Sequence, residues 1–578
     1  MSLRNLTTVW GEKLSDKPLQ EYPRPQFVRK SYVNLNGLWD YAIRDTDEMP
    51  KTYDGKILVP FSPESVLSGV NRQLQPTEHL FYRTVFTLAK GFVKDVVLLN
   101  FGAVDSICDV YVNGRHLCHH EGGYNAFTVD VTPALNTTDN ELVVKVRDFT
   151  DTSYYTAGKQ STRRGGMWYT PQSGIWQTVW LESVPAQYIK SIRVTPDIDN
   201  ATVTVETDSS FVEPLTVVVT DGGEDVVKAD GSGRITLKFP DGKFTLWSPE
   251  NPHLYGLKII SRRDQVESYF GMRKFSVDTV DGFKRLMLNN KPYFHNGLLD
   301  QGYYSDGLYT APSDEAMVYD IKTMKELGFN MLRKHIKVEP ARWYYHCDRL
   351  GMLVWQDMPS GGSRQNKFTT LYLPFVGING IKDSNYGKFS RADKEGRDMF
   401  VREYAEMIGQ LYNCVSIATW VIFNEGWGQF DANKMTEYTK TLDTTRVIDQ
   451  ASGWHDQGGG DVKSLHVYFK KVRLPRDKNR VVCLTEFGGY SFKDDTHSFN
   501  PDGTYSYKKF ATLDEFNKGV KKLYERDVIA QIGKGLSAAV YTQVSDVEDE
   551  VNGLLTYDRK VLKIDADMMR DINSKVKL

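Results

Sequence analysis

From about residue 277 onward, apolar runs of four to eight residues alternate with longer amphipathic stretches. Few folds produce that texture. A strand buried on both faces reads as a near-continuous apolar run, and amphipathic helices between such strands mean a parallel sheet. Eight candidate strands follow one another: Tyr293–Gly297, Asn330–His335, Met352–Asp357, Ser416–Glu425, Arg446–Ala451, Ser464–Tyr468, Val481–Phe487 and Ala538–Gln543. Helices are expected in the gaps, for example Asp314–Leu327 closing on Gly328, and Pro340–Leu350 with proline in its first turn and Gly351 after it. The pattern predicts a C-terminal (β/α)₈ TIM barrel over residues 277–578.

The chain before that point reads differently. Lys94–Phe101, Ile107–Val112, Ala126–Val131 and Glu141–Val146 are short β-runs, and Asn113-Gly114 between two of them is a hairpin signal. With Trp176–Glu182 as the last strand, they predict a β-sandwich over residues 1–184. A second series, Ser191–Pro196, Ala201–Glu206, Leu215–Thr220, Ile235–Phe239 and Leu257–Ser261, fits a small immunoglobulin-like sandwich over residues 185–276. Three domains suit a length of 578 residues.

Composition narrows the partners. Lys+Arg is 72 against 74 Asp+Glu, without the basic surplus of a nucleic-acid binder. No run of 18 apolar residues predicts a membrane span. The five cysteines lack any CxxC pair and read as buried free thiols, neither a disulfide framework nor a zinc site. No cofactor is expected. The opening Met1-Ser2-Leu3-Arg4 carries no signal-peptide pattern. Localisation is periplasmic or secreted if a leader precedes this sequence and cytoplasmic otherwise. Oligomeric state is left open.

Chemistry in such a barrel sits at the C-terminal strand ends. Read in order they give Asn296, Arg333 with His335, Gln356-Asp357, Asn424-Glu425, Ser452 with Trp454, His466 with Tyr468, Glu486 and Gln543. The fourth and seventh strands each finish in a glutamate, within FNEGWG and TEFGG. Cleaving a glycosidic bond takes two carboxyl groups, one protonated and one ionised, and the glycines beside them admit a ligand close to the backbone. A carbohydrate substrate follows.

Val421–Phe430 (VIFNEGWGQF) resembles the acid/base motif of glycoside hydrolase family 2, and Leu484–Gly489 (LTEFGG) resembles its nucleophile motif. The likeness spans the chain. Asn34–Trp39, Glu121–Thr132 and Gly174–Glu182 resemble the family's jelly-roll sugar-binding sandwich, and Leu288–Pro292 its entry into the barrel. The resemblance implies a retaining, exo-acting β-glycosidase working by double displacement. It implies Glu425 as general acid/base, Glu486 as nucleophile, Asn424 on the sugar 2-hydroxyl, and Arg333 and Tyr468 beside the nucleophile. His335 shares a strand face with Arg333. His466 also stands at a strand end, and Trp454 and Tyr541 are candidate stacking platforms.

Specificity is less marked. His295-Asn296-Gly297-Leu298-Leu299-Asp300-Gln301-Gly302 matches neither the galactosidase nor the glucuronidase signature after the first barrel strand, and Trp355-Gln356-Asp357 looks more like the mannosidase branch. A galactosidase-type magnesium site is not supported, and no metal is expected. The segment Asp300–Tyr309, with two acids and three tyrosines, is expected to read the terminal sugar, Asp300 included. Its acids rank a neutral sugar above a uronate, making β-galactosidase the default activity and uronic acid, mannose or arabinose the alternatives. The basic loop Lys470-Lys471-Val472-Arg473, with Arg476, Lys478 and Arg480, reads as solvated, its other reading being a contact to an anionic substrate. A non-catalytic carbohydrate-binding protein on the same scaffold is the rival from another class.

Overall fold

The computed structural model describes residues 3–578, so the first two positions of the polar opening lie outside it. All eight candidate runs become strands of one sheet: His295–Asp300, Met331–Lys334, Leu353–Asp357, Ile417–Val421, Val447–Asp449, Val462–Val467, Val481–Gly488 and Leu536–Thr542. Their order is fifth, fourth, third, second, first, eighth, seventh, sixth, and each neighbouring pair is parallel. The Asp461 amide donates to the Ile448 carbonyl at 2.8 Å, which brings the sixth strand back to the fifth and closes the barrel.

Period-two alternation divides the strand residues between two layers. Leu299, Met331, Leu353, Trp355, Val421, Cys483 and Val540 pack together inside. Leu298, Leu332, Val354, Trp420, Leu484 and Tyr541 pack against the helices outside. An antiparallel hairpin, Phe275–Val280 with Phe283–Leu288, sends Phe275, Leu286 and Leu288 into the inner cluster and plugs the end opposite the mouth.

The helices start where their caps dictate. Ser313, Asp393 and Asp565 each accept a hydrogen bond from the first turn of Asp314–Glu326, Lys394–Leu411 and Ala566–Ser574. Thr512 and Glu515 form a capping box on Leu513–Tyr524. Among the described residues no helix separates the fifth strand from the sixth, or the sixth from the seventh. Those two connections are irregular and carry Trp454 and the basic loop.

The N-terminal region is a sandwich of a four-stranded and a six-stranded antiparallel sheet around Trp39, Leu80, Tyr82, Leu99, Val144 and Leu181. Asn113 (φ 51°) and Gly114 (φ 76°) turn the hairpin between Ile107–Val112 and Arg115–Glu121. The next region packs a three-stranded sheet on a four-stranded one. Two of its strands, Glu224–Gly231 and Gln265–Phe270, escape the sequence reading. Both are sheet edges, where polar residues protect against further pairing and blur the alternation.

One segment of the first sandwich crosses to the barrel. Between Arg147 and Gly174 the chain runs mostly without regular structure along the mouth. The amides of Ala157 and Gly158 both donate to Ser360 O at 2.9 Å. Arg164 meets Glu548 at 2.7 Å and Asp549 at 2.6 Å. The Thr156 hydroxyl donates to Glu403 Oε2 at 2.7 Å, while Glu403 Oε1 is buried without a partner.

Burial raises the Glu403 carboxyl to about 7, as expected for a protonated acid inside a domain junction. A carboxyl whose pKa rises on folding confers stability that is fully present below about pH 4.5 and lost as pH climbs through about 7. The melting temperature is therefore expected to fall between about pH 5 and 8, and Glu403→Gln to flatten that fall. An identical slope in the variant would remove Glu403 as the cause.

Candidate active site

The mouth is organised around Arg333, on the second strand and fully buried. Its Nε and Nη2 donate to the two Asp357 oxygens at 3.0 and 2.9 Å. Nη1 donates to Glu486 Oε1 and to the Thr485 carbonyl, both at 3.1 Å. Nη2 also donates to Asn424 Oδ1 at 2.8 Å. Burial opposes the guanidinium charge, but Asp357 and Glu486 outweigh it and hold Arg333 protonated well above its usual range. The contact also orients Asn424. Its amide oxygen is taken by Arg333, and no described protein group accepts from its NH₂.

Glu486 is 4% exposed. Burial would raise its carboxyl, yet His466, Arg333 and His335 together hold it well below the usual carboxylate range. The Tyr468 hydroxyl donates to Oε2 at 2.5 Å. Tyr468 is itself stacked on Tyr507, with centroids 3.7 Å apart. The phenol's own ionisation is pushed far up by burial, then by Glu486 and Glu425, so it stays a donor.

Glu425 sits opposite, its side chain one-quarter exposed. Its backbone is left-handed at φ 51°, a region seldom occupied by residues other than glycine, and its amide is tied to Ser452 O at 2.9 Å. His466 Nδ1 lies 2.8 Å from Glu425 Oε1 and 3.4 Å from Glu486 Oε2. The other ring nitrogen lies 3.0 Å from Ser452 Oγ. Gly453 (φ 85°) permits this: a Cβ there would come within 2.5 Å of His466 Nδ1.

One carboxylate oxygen from each glutamate and the His466 nitrogen fall within 4.8 Å of one another. Among the described residues this is the one set of side chains close enough to share a metal ion. The Arg333 guanidinium 3.1 Å from Glu486 already supplies the positive charge there and works against a second cation. A cleft of about 600 Å³ opens beside Glu425, walled by Met167, Trp454, Tyr507, Lys470, Lys471 and Arg473.

Eight of the ten residues singled out in the sequence meet at this mouth: Glu425, Glu486, Asn424, Arg333, His335, Tyr468, His466 and Trp454. His335 holds Asp357 Oδ2 at 3.0 Å through Nδ1, and burial lowers its pKa. Trp454 packs edge-on to His466 at 5.5 Å.

Asp300 and Tyr541 do not reach the mouth. Asp300 is the register partner of Lys334, on the outward face, where it accepts from Lys334 Nζ at 2.7 Å and from the Gly302 amide at 2.9 Å. Tyr541 packs outward against Phe487 and Tyr524, with its hydroxyl on Tyr490 O at 3.3 Å. Alternation and register are the reason: if Arg333 and His335 point inward, Lys334 points outward with Asp300 beside it, and Tyr541 pairs with Leu298 on that same face. Asp306, the other acid of that loop, accepts from the Thr8 amide and hydroxyl at 2.7 and 2.9 Å. Sequence reasoning placed Asp357 at a strand end without giving it a role, and passed over Tyr507, which lies in an irregular loop with no periodicity to read.

Three family models match in chain order. "Glycosyl hydrolases family 2, sugar binding domain" covers residues 53–185, "Glycosyl hydrolases family 2" covers 187–273, and "Glycosyl hydrolases family 2, TIM barrel domain" covers 279–474. A β-galactosidase of Leuconostoc mesenteroides is 26% identical over 496 residues, which are 75% of this chain and 44% of that protein. A putative β-glucuronidase of Formosa agariphila is 26% identical over 549 residues, 83% of this chain and 59% of that one. The chain thus spans about half the length of these curated relatives. Among solved structures, a β-D-glucuronidase of Dictyoglomus thermophilum superimposes with a TM-score of 0.74 at 18% identity, covering 96% of this chain and 98% of its own. A β-galacturonidase of Eisenbergiella tayi bound to galacturonate does so at 0.68 and 18%, covering 94% and 97%. With all three regions matched in the same order as the folded domains, the chain belongs to glycoside hydrolase family 2.

Proposed function

We propose that the protein is a retaining, exo-acting β-glycosidase, with Glu486 as nucleophile and Glu425 as general acid/base. The observation that carries this reading is the carboxylate pair itself. One oxygen of each glutamate lies within 4.8 Å of the other's, in keeping with the spacing of about 5–5.5 Å in retaining enzymes and short of the roughly 6.5–9.5 Å at which inverting ones admit the attacking water. Their surroundings differ in the sense the chemistry requires. Glu486 is buried and kept ionised by His466 and the fixed Arg333 guanidinium, ready to attack the anomeric carbon. Glu425 opens on the cleft, where it can protonate the departing oxygen and then take a proton from the water that releases the sugar.

Neighbouring groups fit those steps. Arg333 holds one Glu486 oxygen and Tyr468 the other, which fixes the attack direction. The free NH₂ of Asn424 suits a sugar 2-hydroxyl, a bond that tightens in the transition state. Trp454 and Tyr507 offer ring faces or edges to sugar carbons. A protein that only bound carbohydrate would gain nothing from an ionised carboxylate buried at such desolvation cost.

The sugar is a separate question. Curated relatives bear both names, β-galactosidase and putative β-glucuronidase, and do not choose between them. The expectation of a neutral sugar rested on the acids of Asp300–Tyr309, and both are spent on Lys334 and Thr8. Lys470, Lys471 and Arg473, by contrast, wall the cleft. A β-uronide is therefore the better reading.

Nitrophenyl glycosides test it. Higher kcat/KM on the glucuronide or galacturonide than on the galactoside is expected, and a reversed order would restore the neutral sugar. Roles separate by azide rescue. Glu425→Ala should keep activity on good leaving groups and give a β-glycosyl azide, while Glu486→Ala should be nearly inactive and give the α-azide; the opposite products would exchange the two assignments.

A further inference from the structure

Resting on the uronide reading, we propose that Lys159, delivered by the N-terminal sandwich, is the side chain that binds the carboxylate of the terminal sugar.

Among the described residues four lysines are buried: Lys159, Lys334, Lys337 and Lys563. Three of them have carboxylate partners. Lys334 pairs with Asp300 and Glu339, Lys337 with Glu339, and Lys563 with Asp546. Lys159, 8% exposed, makes no ion pair. Its Nζ has only the Met167 sulfur at 3.9 Å and the face of Trp168 at 5.3 Å. A largely buried ammonium with no carboxylate within ion-pair distance is under-compensated, and a carboxylate arriving with the substrate would supply that contact.

Its position fits. Met167 forms part of the cleft wall with Glu425, and Trp168 packs edge-on to Trp427, two residues after Glu425, at 5.0 Å. Behind it, the loop is pressed on the second strand's end: a Cβ on Gly158 would lie 2.9 Å from the Ile336 carbonyl. The charge of Lys159 is felt by His335 and by Glu550, and both of those in turn feel Glu486. Lys159 thus stands behind the Met167 wall of the cleft into which Glu425 opens. Other cations there are spent: Arg333 on Asp357 and Glu486, Arg164 on Glu548 and Asp549. Lys470, Lys471 and Arg473 wall the same cleft but are exposed, so water already solvates their charges, and among the described cations here only Lys159 is buried without a carboxylate partner.

The test compares kcat/KM on nitrophenyl β-glucuronide and β-galacturonide with that on the β-galactoside and β-glucoside, for the parent protein, Lys159→Met, Lys159→Gln and Lys159→Arg. The uronide-to-neutral ratio should fall about 100-fold in the methionine and glutamine variants, the scale of a lost partner in a buried charge pair. Arginine should restore part of it. Two uncharged variants are used so that a folding defect in one leaves the other to decide. A parent that prefers uronides while both uncharged variants lose equally on all four substrates would overturn the role of Lys159 and leave the uronide reading standing. So would a shift of the acid limb common to every substrate with an unchanged ratio, which would make Lys159 electrostatic ballast for Glu486. A parent that prefers neutral glycosides would overturn the uronide reading, and Lys159 with it.

Discussion

The mouth depends on one buried cation. Through Arg333 the second strand is joined to the third at Asp357, to the fourth at Asn424 and to the seventh at Glu486 and Thr485. Burying a guanidinium costs several kcal/mol even after relaxation. Here two carboxylates and two neutral oxygens offset that cost by saturating the donors in the plane of the fork. A lysine could not do the same, since its single ammonium lacks the geometry to hold four partners at fixed angles. Removing the charge would strand Asp357 and Glu486 together, at about 3–5 kcal/mol for the broken pair. A residue that, with His466, keeps Glu486 ionised is thus also the one that fixes where Glu486 and Asn424 stand.

Around this point the domains have divided tasks. The hairpin at residues 275–288 plugs the far end of the barrel, so the interior can serve as a packed core and leave only the mouth open. The two strand connections without helices, after the fifth and sixth strands, leave room for Trp454 and the basic wall. The N-terminal sandwich closes the remaining side through the segment between Arg147 and Gly174, anchored on Ser360, Glu403 and Glu548. A site built this way is incomplete in the barrel alone. It needs the sandwich for its upper wall.

Much of this was legible in the sequence, for a definite reason. All eight barrel strands could be found because residues buried on both faces leave unbroken apolar runs, and the two glutamates stood out because each ends such a run. Alternation along the second strand sends Lys334 outward, but Asp300 and Tyr541 lie on other strands, and only the register Asp300 to Lys334 and Leu298 to Tyr541 puts them on that face. Polar edge strands such as Glu224–Gly231 left no alternation to read. Least legible was the crossing segment of the sandwich. Its contacts to Glu403 and Glu548 join residues hundreds of positions apart, and local pattern carries no trace of such pairings. Lys159 could not have been singled out before the fold showed that it lacked a partner.

The account rests on Glu486 forming a covalent bond to the sugar. An activated 2-deoxy-2-fluoro glycoside of the preferred sugar slows release of that intermediate more than its formation, so the trapped protein can be digested and its peptides weighed. The added mass is expected on the peptide containing Leu484–Gly489, at Glu486. Label on the Glu425 peptide, or turnover that inverts the anomeric configuration with no labelled peptide, would contradict it.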